Sequence, residues 1–370
     1  MTTRTDWLGR LPFLDGMRAT AALMVMTFHV ADQHRDMPRL VHAAAFGQTG
    51  VDLFFVLSGF LITRILLASK ESPNFFRTFY VRRVLRIFPL YFGFLAIYFY
   101  LLPVLTGESI PPFTTQLWAW LYAENFPLTF PGLNSSGPGH FWSLAVEEHF
   151  YLVWPLLVFV LSRRNFGIAV IATLVIAPVV RWAFLRHGLA VYFFTFTRMD
   201  SLAYGAGLAL LVSGPALRRE KTLPLFRILL IGFALIVLPA YLWFSGSRFD
   251  WLQVVKLSLF PALYFGVIGF CLVDPLARPL IRLFSARWLR WLGGISYGIY
   301  VFHPTCITLV QRFIAPTQIV ADTLLSFGLT IGVAYLSFRF FEAPILRLKR
   351  HFAYDLTEHV DGKVSASALQ

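Results

Sequence analysis

The sequence predicts an all-α, polytopic integral membrane protein, and its composition and hydrophobic pattern carry that prediction. Hydrophobic residues make up 57% of the 370 residues and charged residues only 14%, whereas a soluble domain carries about 25% charged residues. Apolar stretches of about 20 residues, the length that crosses a bilayer as a helix, recur along the chain. We therefore expect a helical bundle with about ten transmembrane helices.

The apolar stretches follow one another with short connections. They predict spans at residues 14–34, 50–69, 84–105, 142–162, 166–186, 192–213, 225–244, 252–273, 290–311 and 320–341. No repeat of fixed period is visible, so residues 1–350 are expected to form one membrane domain and the polar residues 351–370 a disordered cytoplasmic tail. Asp15 and Arg18 interrupt the start of the first span, which argues against a cleaved signal peptide.

The net charge of +13 is better explained by membrane topology than by nucleic-acid binding, because the basic residues do not form one patch. With alternating spans, 22 Lys and Arg residues fall on one side and 8 on the other. Both termini are then expected in the cytoplasm, and segment 106–141, which has no Lys or Arg, outside. Cys271 and Cys306 lie in apolar spans without metal-ligand spacing, so we interpret them as packing residues and expect no metal site.

The first span carries an arginine and a histidine eleven residues apart. In an α-helix this spacing places Arg18 and His29 on one face, about 16 Å apart along the axis. Ionisable groups in hydrocarbon usually mark a pathway or a reaction centre. The alternative is that His29 hydrogen-bonds a neighbouring helix while Arg18 extends to the headgroups.

Three arginines open the predicted third span. Helical spacing brings Arg82, Arg83 and Arg86 onto adjacent faces. Guanidinium groups match phosphate geometry, so these residues and Arg18 are candidates for an anion clamp. The alternative is that they are ordinary positive-inside residues.

The predicted fourth span begins with a cluster of ionisable residues. Ser143 and Glu147 are neighbours four residues apart, so a polar strip is expected to face the bundle. A carboxylate here is a candidate partner that orients the imidazole of His29. Glu148 is the second choice, because adjacent residues of a helix do not face the same way.

Other polar groups lie in apolar surroundings. His303, upstream of Pro304, either lines a path or accompanies a helix kink. Tyr297 and Ser143 are further candidates for lining the substrate path, as is Asp52, for which we expect a structural or gating role. The stretch 117–122 is too short to span and predicts either an interfacial lid or an aromatic anchor.

In order along the chain, these motifs resemble the acyltransferase 3 family of integral membrane O-acyltransferases, and the resemblance runs nearly from end to end. The residues that carry it are Leu14 to Arg18 with His29, Gly50 to Phe60, Arg82 to Arg86, Phe141 to Glu148, Arg198 to Asp200 and Ile295 to Pro304. Each motif alone is a weak indication of the family, whereas the whole set in this order is a specific one.

The resemblance implies transfer of an acyl group, commonly acetyl from coenzyme A, to a hydroxyl of a carbohydrate or other secondary product. Acyl-CoA is then a substrate rather than a permanent cofactor, and the bacterial inner membrane is the expected location. Some relatives add an esterase-like domain for the acceptor. In this sequence we expect the membrane domain or a partner to handle it.

The chemistry assigns a role to each candidate residue. A hydroxyl needs a positioned base, and His29 is expected to act by direct deprotonation or through an acyl-imidazole. Glu147 is expected to orient His29, and the arginines to hold the donor's phosphates. A secondary transporter is the rival function, disfavoured by the absence of visible repeats and by the motifs themselves.

Overall fold

The computed structural model describes residues 9, 11–34, 41, 44–213, 219–239, 250–314 and 318–355, and in these ranges every regular element is a helix. The principal helices are α1 (Pro12–Gln33), α2 (Gly50–Ser69), α3 (Phe75–Ala96), α4 (Phe113–Trp120), α5 (Trp142–Val160), α6 (Arg163–Arg186), α7 (Thr195–Val212), α8 (Arg219–Gly232), α9 (Asp250–Val273), α10 (Arg278–Phe284), α11 (Arg287–Gly294), α12 (Ser296–Phe313) and α13 (Ile319–Ser337). Short helical turns continue α3 to Thr106 and α13 to His351.

Each of the ten predicted spans overlaps helical residues, but the span predicted at 290–311 covers parts of two helices, α11 and α12, which meet at Ile295. Among the described residues, six helices are long and apolar enough to cross a membrane, so the chain is a multi-pass, all-α membrane protein. Part of one predicted span (240–244) and most of the predicted tail (356–370) lie outside the described residues.

The third helix begins nine residues earlier than the sequence predicted, at Phe75 instead of residue 84. Phe75 and Phe79 are buried in the bundle, and their packing stabilises the first turns of α3. Arginines in the same turns lower the mean hydropathy, which is why the sequence placed the start of the span too late. Arg82, Arg83 and Arg86 therefore lie two to three turns inside the helix and do not open it.

The crossing of α2 and α7 is one of the tightest in the bundle. A Cβ atom at Gly59 would lie 2.0 Å from the carbonyl oxygen of Leu202, and one at Gly205 would lie 2.1 Å from that of Val56. Only glycine permits this approach. It brings Asp52 against Arg198, with an Nη2 to Oδ1 distance of 2.6 Å and both side chains buried.

A second buried ion pair, Arg181 with Asp200 at 2.8 Å, connects α6 to α7. Ser258 of α9 hydrogen-bonds Asp200 over 2.6 Å. Buried charges are retained when they are paired in this way. Asp52, expected along the substrate path, thus belongs to a structural ionic core and lines neither of the two cavities described below.

The helix that carries Arg18 and His29 packs against α2, α11, α12 and α13. At its far end, His34 Nε2 lies 2.8 Å from Oδ2 of the buried Asp322 of α13, and Gln311 of α12 donates to the same oxygen over 2.5 Å. These bonds fix the end of α1 to α12 and α13, which holds His29 in place beside α12.

Residues 347–355 pack back onto the start of α3. The side-chain amide of Asn74 donates to the carbonyl of Ala353 at 2.9 Å and to Asp355 at 2.7 Å, and Arg82 donates to the carbonyl of Phe352 at 3.0 Å. Residues 352, 353 and 355, which the sequence placed in the tail, thus contact the start of α3.

Candidate functional site

A polar cavity of about 490 Å³ lies between α1, α2, α3, α5 and α12, and we call it the arginine cavity. Its cationic lining residues are Arg18, Arg64, Arg82, Arg83, Arg86 and Lys349. The four arginines that the sequence proposed as an anion clamp thus line one cavity, although they come from two helices. Gly9 and Lys349 also line it, so the two described ends of the chain lie on the same side of the bundle.

The arginine cavity holds polar atoms that no group of the described chain satisfies. Nε of Arg83 and Oε1 of Glu148 are buried and have no hydrogen-bond partner there. Native structures rarely leave such atoms unpaired without a ligand or water. The cavity therefore has the charge and the open hydrogen-bonding capacity that a phosphorylated ligand requires.

Both glutamates of α5 line this same cavity. The sequence favoured Glu147 over Glu148 because adjacent helical residues point about 100° apart, yet the lining of this cavity includes both side chains. Glu147 lies beside Ser58, Tyr151 and Arg18, and Arg18 also contacts Asp15 at 3.6 Å.

A second cavity, of about 480 Å³, contains the histidine of the first helix, and we call it the histidine cavity. It is lined by His29 and His140 together with residues of α12 and of segment 106–141. Glu147 does not line it. Within the described chain, the hydrogen bonds of His29 run to other groups, so the structure does not bring the proposed Glu147 and His29 pair together.

The partner of His29 is another histidine. Nε2 of His303 lies 3.2 Å from Nδ1 of His29, and Nδ1 of His29 also lies 3.0 Å from the carbonyl oxygen of Val25. Nδ1 of His303 is 2.7 Å from the carbonyl oxygen of Tyr300. His303 is fully buried.

These contacts determine the tautomers of both neutral rings. A carbonyl only accepts, so Nδ1 of His303 must carry its proton and Nε2 must carry a lone pair. The proton on Nδ1 of His29 is then shared between Val25 and His303. Nε2 of His29 is left with a lone pair and, in the described chain, without a partner, which is the state that a base or nucleophile needs.

A thin wall separates the two cavities. Ser143 and Tyr300 line the arginine cavity and hydrogen-bond each other. The hydroxyl of Tyr300 also donates to the carbonyl of His140, which lines the histidine cavity, over 3.0 Å. These hydrogen bonds connect the lining of the cationic site to that of the cavity with His29, and Tyr297 lines the cationic side.

Segment 106–141 covers the histidine cavity and is anchored to the bundle at Tyr122. This residue has a left-handed backbone, with φ of 54°, and its ring stacks on Tyr91 with centroids 3.9 Å apart. The strain of that backbone is tolerated because the surrounding contacts determine it. The stretch 117–122 thus contributes an anchor, while the residues around it form the cavity wall.

Glu124 in the same segment is buried and accepts a hydrogen bond from Ser135 at 2.8 Å. Burial raises the pKa of this carboxyl to about 7, and the Ser135 bond partly opposes that rise. The carboxyl is therefore partly protonated at neutral pH.

Sequence reasoning missed several residues of the site, among them Arg64, His140, Lys349 and Tyr354. His140 and Lys349 gave no signal, because both lie among ordinary loop or cationic residues, and Tyr354 fell in the expected tail. His303 was recognised only as a lining or kink residue. In the described part of the chain, no group of three or more His, Cys, Asp or Glu residues is placed to hold a metal ion.

Comparison with known proteins adds independent information. A family model described as an acyltransferase domain matches residues 11–339. The chain is 30% identical over 364 residues to the peptidoglycan O-acetyltransferase OatA of Listeria monocytogenes, which covers 90% of this chain and 56% of that protein. It is 32% identical over 366 residues to the putative peptidoglycan O-acetyltransferase YrhL of Bacillus subtilis, covering 90% and 55%.

A putative O-acetyltransferase of Staphylococcus aureus is 27% identical over 354 residues, with 90% of this chain and 57% of that protein covered. The chain thus spans about half the length of the curated relatives it matches. No solved structure matches the chain.

Proposed function

Since this chain belongs to the acyltransferase 3 family, we propose that it is a membrane O-acyltransferase that moves an acetyl group from coenzyme A to a hydroxyl of a carbohydrate. The observation that carries the proposal is that one helix contributes a lining residue to each of the two cavities. Arg18 of α1 lines the arginine cavity, and His29, about three turns further on, lines the histidine cavity.

The arginine cavity takes the acyl donor. Arg18, Arg82, Arg83 and Arg86 bind its phosphates, because guanidinium groups form bidentate, charge-assisted hydrogen bonds to them. The acyl arm extends from there past Ser143 and Tyr300 toward His29. This requires the Ser143 and Tyr300 hydrogen bond to open, since these side chains form the wall between the cavities.

His29 performs the transfer through Nε2. In one route Nε2 accepts the proton of the acceptor hydroxyl as that oxygen attacks the thioester carbonyl and the thiolate leaves. In the other, Nε2 attacks the carbonyl first and the thiolate leaves; the hydroxyl then attacks the acyl-imidazole, the carbonyl carbon–Nε2 bond breaks, and the hydroxyl proton passes to Nε2. His303 orients the ring in both routes, the role first considered for Glu147.

Glu147 and Glu148 act on the donor side in this account. They lie among the cavity's arginines, where carboxylates orient guanidinium groups and limit the binding of anions that cannot displace them. The similarity to peptidoglycan O-acetyltransferases supports a glycan acceptor. The charge distribution of the sequence supports a multi-pass protein of the inner membrane with both termini in the cytoplasm.

The test is reconstitution of the purified protein in liposomes with acetyl-CoA and a soluble glycoside acceptor. Release of free thiol that depends on the protein, together with an acetylated glycoside detected by mass spectrometry, is the expected result. Uptake of the glycoside into the liposomes without acetylation would instead support a transporter and contradict the proposal.

A further inference from the structure

The histidine cavity is chemically unlike the arginine cavity. Its polar lining consists mainly of hydroxyl side chains, those of Thr106, Ser109, Ser136, Thr305 and Thr308. Its lining includes two residues of opposite charge, Glu108 and Arg312, which form an ion pair with each other. The cavity therefore carries no net charge when its histidines are neutral.

Two hydroxyls of this cavity have their protons committed to backbone carbonyls and are arranged to accept hydrogen bonds. Thr106 donates its proton to the carbonyl of Leu102 at 3.0 Å, and Thr308 donates to the carbonyl of Pro304 at 2.9 Å. With the donors committed, the oxygen lone pairs remain for a ligand. A ligand rich in hydroxyl protons complements such a wall, whereas a carboxylate or phosphate does not.

The aromatic ring of Tyr98 and the prolines of the lining give the same cavity apolar surface. Apolar walls with a few placed polar groups are typical of small-molecule sites, and about 480 Å³ lies within the usual range of volumes. An uncharged sugar ring has both properties that the wall requires, with hydroxyl protons at its rim and apolar CH groups on its faces.

We propose that the histidine cavity is the acceptor site and that it selects an uncharged, hydroxyl-rich ring over an anionic one. This inference rests on the proposed function, because it places the acceptor hydroxyl next to Nε2 of His29. Selectivity follows from burial: an unpaired negative charge entering a site without a free cation loses its hydration without compensation.

The test uses methyl β-glucoside and methyl β-glucuronide, which differ in one charged group, as acceptors for the purified protein in liposomes. The variants Thr106→Val and Thr308→Val each remove one hydroxyl from the cavity. Thr323→Val is the matched control, because Thr323 makes the same bond to a helical carbonyl, that of Ile319, at 2.8 Å but lines neither cavity.

The expected result is a three- to tenfold increase in the acceptor KM for each cavity variant, the size of one hydrogen bond of about 1 kcal/mol. The Thr323→Val control should match the wild type in acceptor KM. The glucuronide should be at least tenfold poorer than the glucoside.

Equal use of both acceptors, cavity variants that match Thr323→Val, or thiol release that neither glycoside increases would overturn the inference. Failure of the proposed function itself would look different, since the wild type would then neither bind coenzyme A nor release thiol from acetyl-CoA.

A second, independent observation concerns the arginine cavity. Residues 347–355 lie against the start of α3 through Asn74 and Arg82, and they place Lys349 and Tyr354 in the lining of the cavity. Lys349 thereby adds an amino group from the opposite end of the chain to the guanidinium groups of α1 and α3.

The geometry points to Lys349 as a phosphate-binding residue of the donor site, an assignment that also rests on the proposed function. An ammonium group close to several guanidinium groups is repelled by them unless an anion lies between, so the cluster favours a ligand with several phosphate charges. Arg347 lies on the same helical turn but is exposed and does not line the cavity.

The test is binding of coenzyme A and of inorganic pyrophosphate to the purified protein by calorimetry. Lys349→Gln should weaken both about tenfold, Lys349→Arg should largely restore binding, and Arg347→Gln should leave it unchanged. Equal effects of Lys349→Gln and Arg347→Gln, or no binding of either probe, would overturn the assignment. If pyrophosphate binds but coenzyme A does not, Lys349 remains a phosphate-binding residue and coenzyme A is not the donor.

Discussion

Nε2 of His303 lies 3.2 Å from Nδ1 of His29, and the carbonyl of Tyr300 fixes which of these nitrogens carries the proton. The imidazole of His29 is therefore oriented by a second neutral imidazole rather than by a carboxylate. This relationship between α1 and α12 determines that Nε2 of His29 has the free lone pair.

The pair predicts a graded response to substitution at His303. His303→Ala should lower kcat roughly 100-fold, because His29 loses the contact that fixes its tautomer. His303→Gln should retain more activity, since a side-chain carbonyl oxygen still accepts the proton of Nδ1. Steady-state kinetics with acetyl-CoA measure both, and the donor KM should stay near the wild-type value. A glutamine variant no better than the alanine variant would argue against this role.

The arginine cavity predicts an electrostatic donor site. Arg82→Gln, Arg83→Gln or Arg86→Gln should each raise the donor KM roughly tenfold or more and weaken its dependence on salt, because a charge-assisted bond to phosphate is lost. Arg164→Gln, at an exposed position outside the cavity, serves as the control. If all four variants bind coenzyme A equally well, the arginines do not bind the donor.

Glu124 predicts a pH-dependent stability of the segment over the histidine cavity. Its pKa is raised to about 7 in the folded protein, with burial as the main cause, so the neutral form is favoured. The contribution of neutral Glu124 to the free energy of unfolding is complete below the pKa that this carboxyl has in the unfolded chain. It is lost as the pH rises through the folded-state pKa of about 7. Glu124→Gln, which keeps the bond to Ser135, should be more stable above pH 7 by at most roughly 3 kcal/mol.

Thermal unfolding in detergent between pH 5 and pH 8 measures this effect. The difference in melting temperature between wild type and Glu124→Gln should widen as the pH rises. Parallel curves for the two proteins would show that ionisation of Glu124 has no part in the stability of this segment.

The proposed orientation in the membrane can be tested with single cysteines. Asn134→Cys, at an exposed position of segment 106–141, should react with a membrane-impermeant maleimide added to intact cells. Glu71→Cys, exposed in the connection between α2 and α3, should react only after the cells are permeabilised. The opposite pattern would invert the donor and acceptor sides.

Much of the fold could be predicted because membrane spans are specified locally. Apolar length predicted helical positions along the chain, and six helices of its described part are long and apolar enough to span. The eleven-residue spacing in α1 correctly placed Arg18 and His29 on one helix. The start of α3 was missed because its arginines face a cavity rather than lipid, which lowers the local hydropathy while Phe75 and Phe79 remain buried.

The pairing within the site could not be predicted in this way. His303 and His29 are 274 positions apart, and nothing local indicates which helices become neighbours. Glu147 was the nearer candidate by charge, but the turn of α5 that carries it faces the arginines. Lys349 entered the site because the end of the chain folds back onto α3, a contact without a sequence pattern of its own.

The most direct test of the account is acetyl transfer by His29→Ala in liposomes, compared with His149→Ala as a matched control. His149 bonds Thr195 at 2.7 Å and lines neither cavity. We predict that His29→Ala binds coenzyme A like the wild type but loses thiol release and acetyl transfer by roughly 10²- to 10⁴-fold or more, while His149→Ala retains both. A folded His29→Ala protein that transfers acetyl at near the wild-type rate would contradict the account.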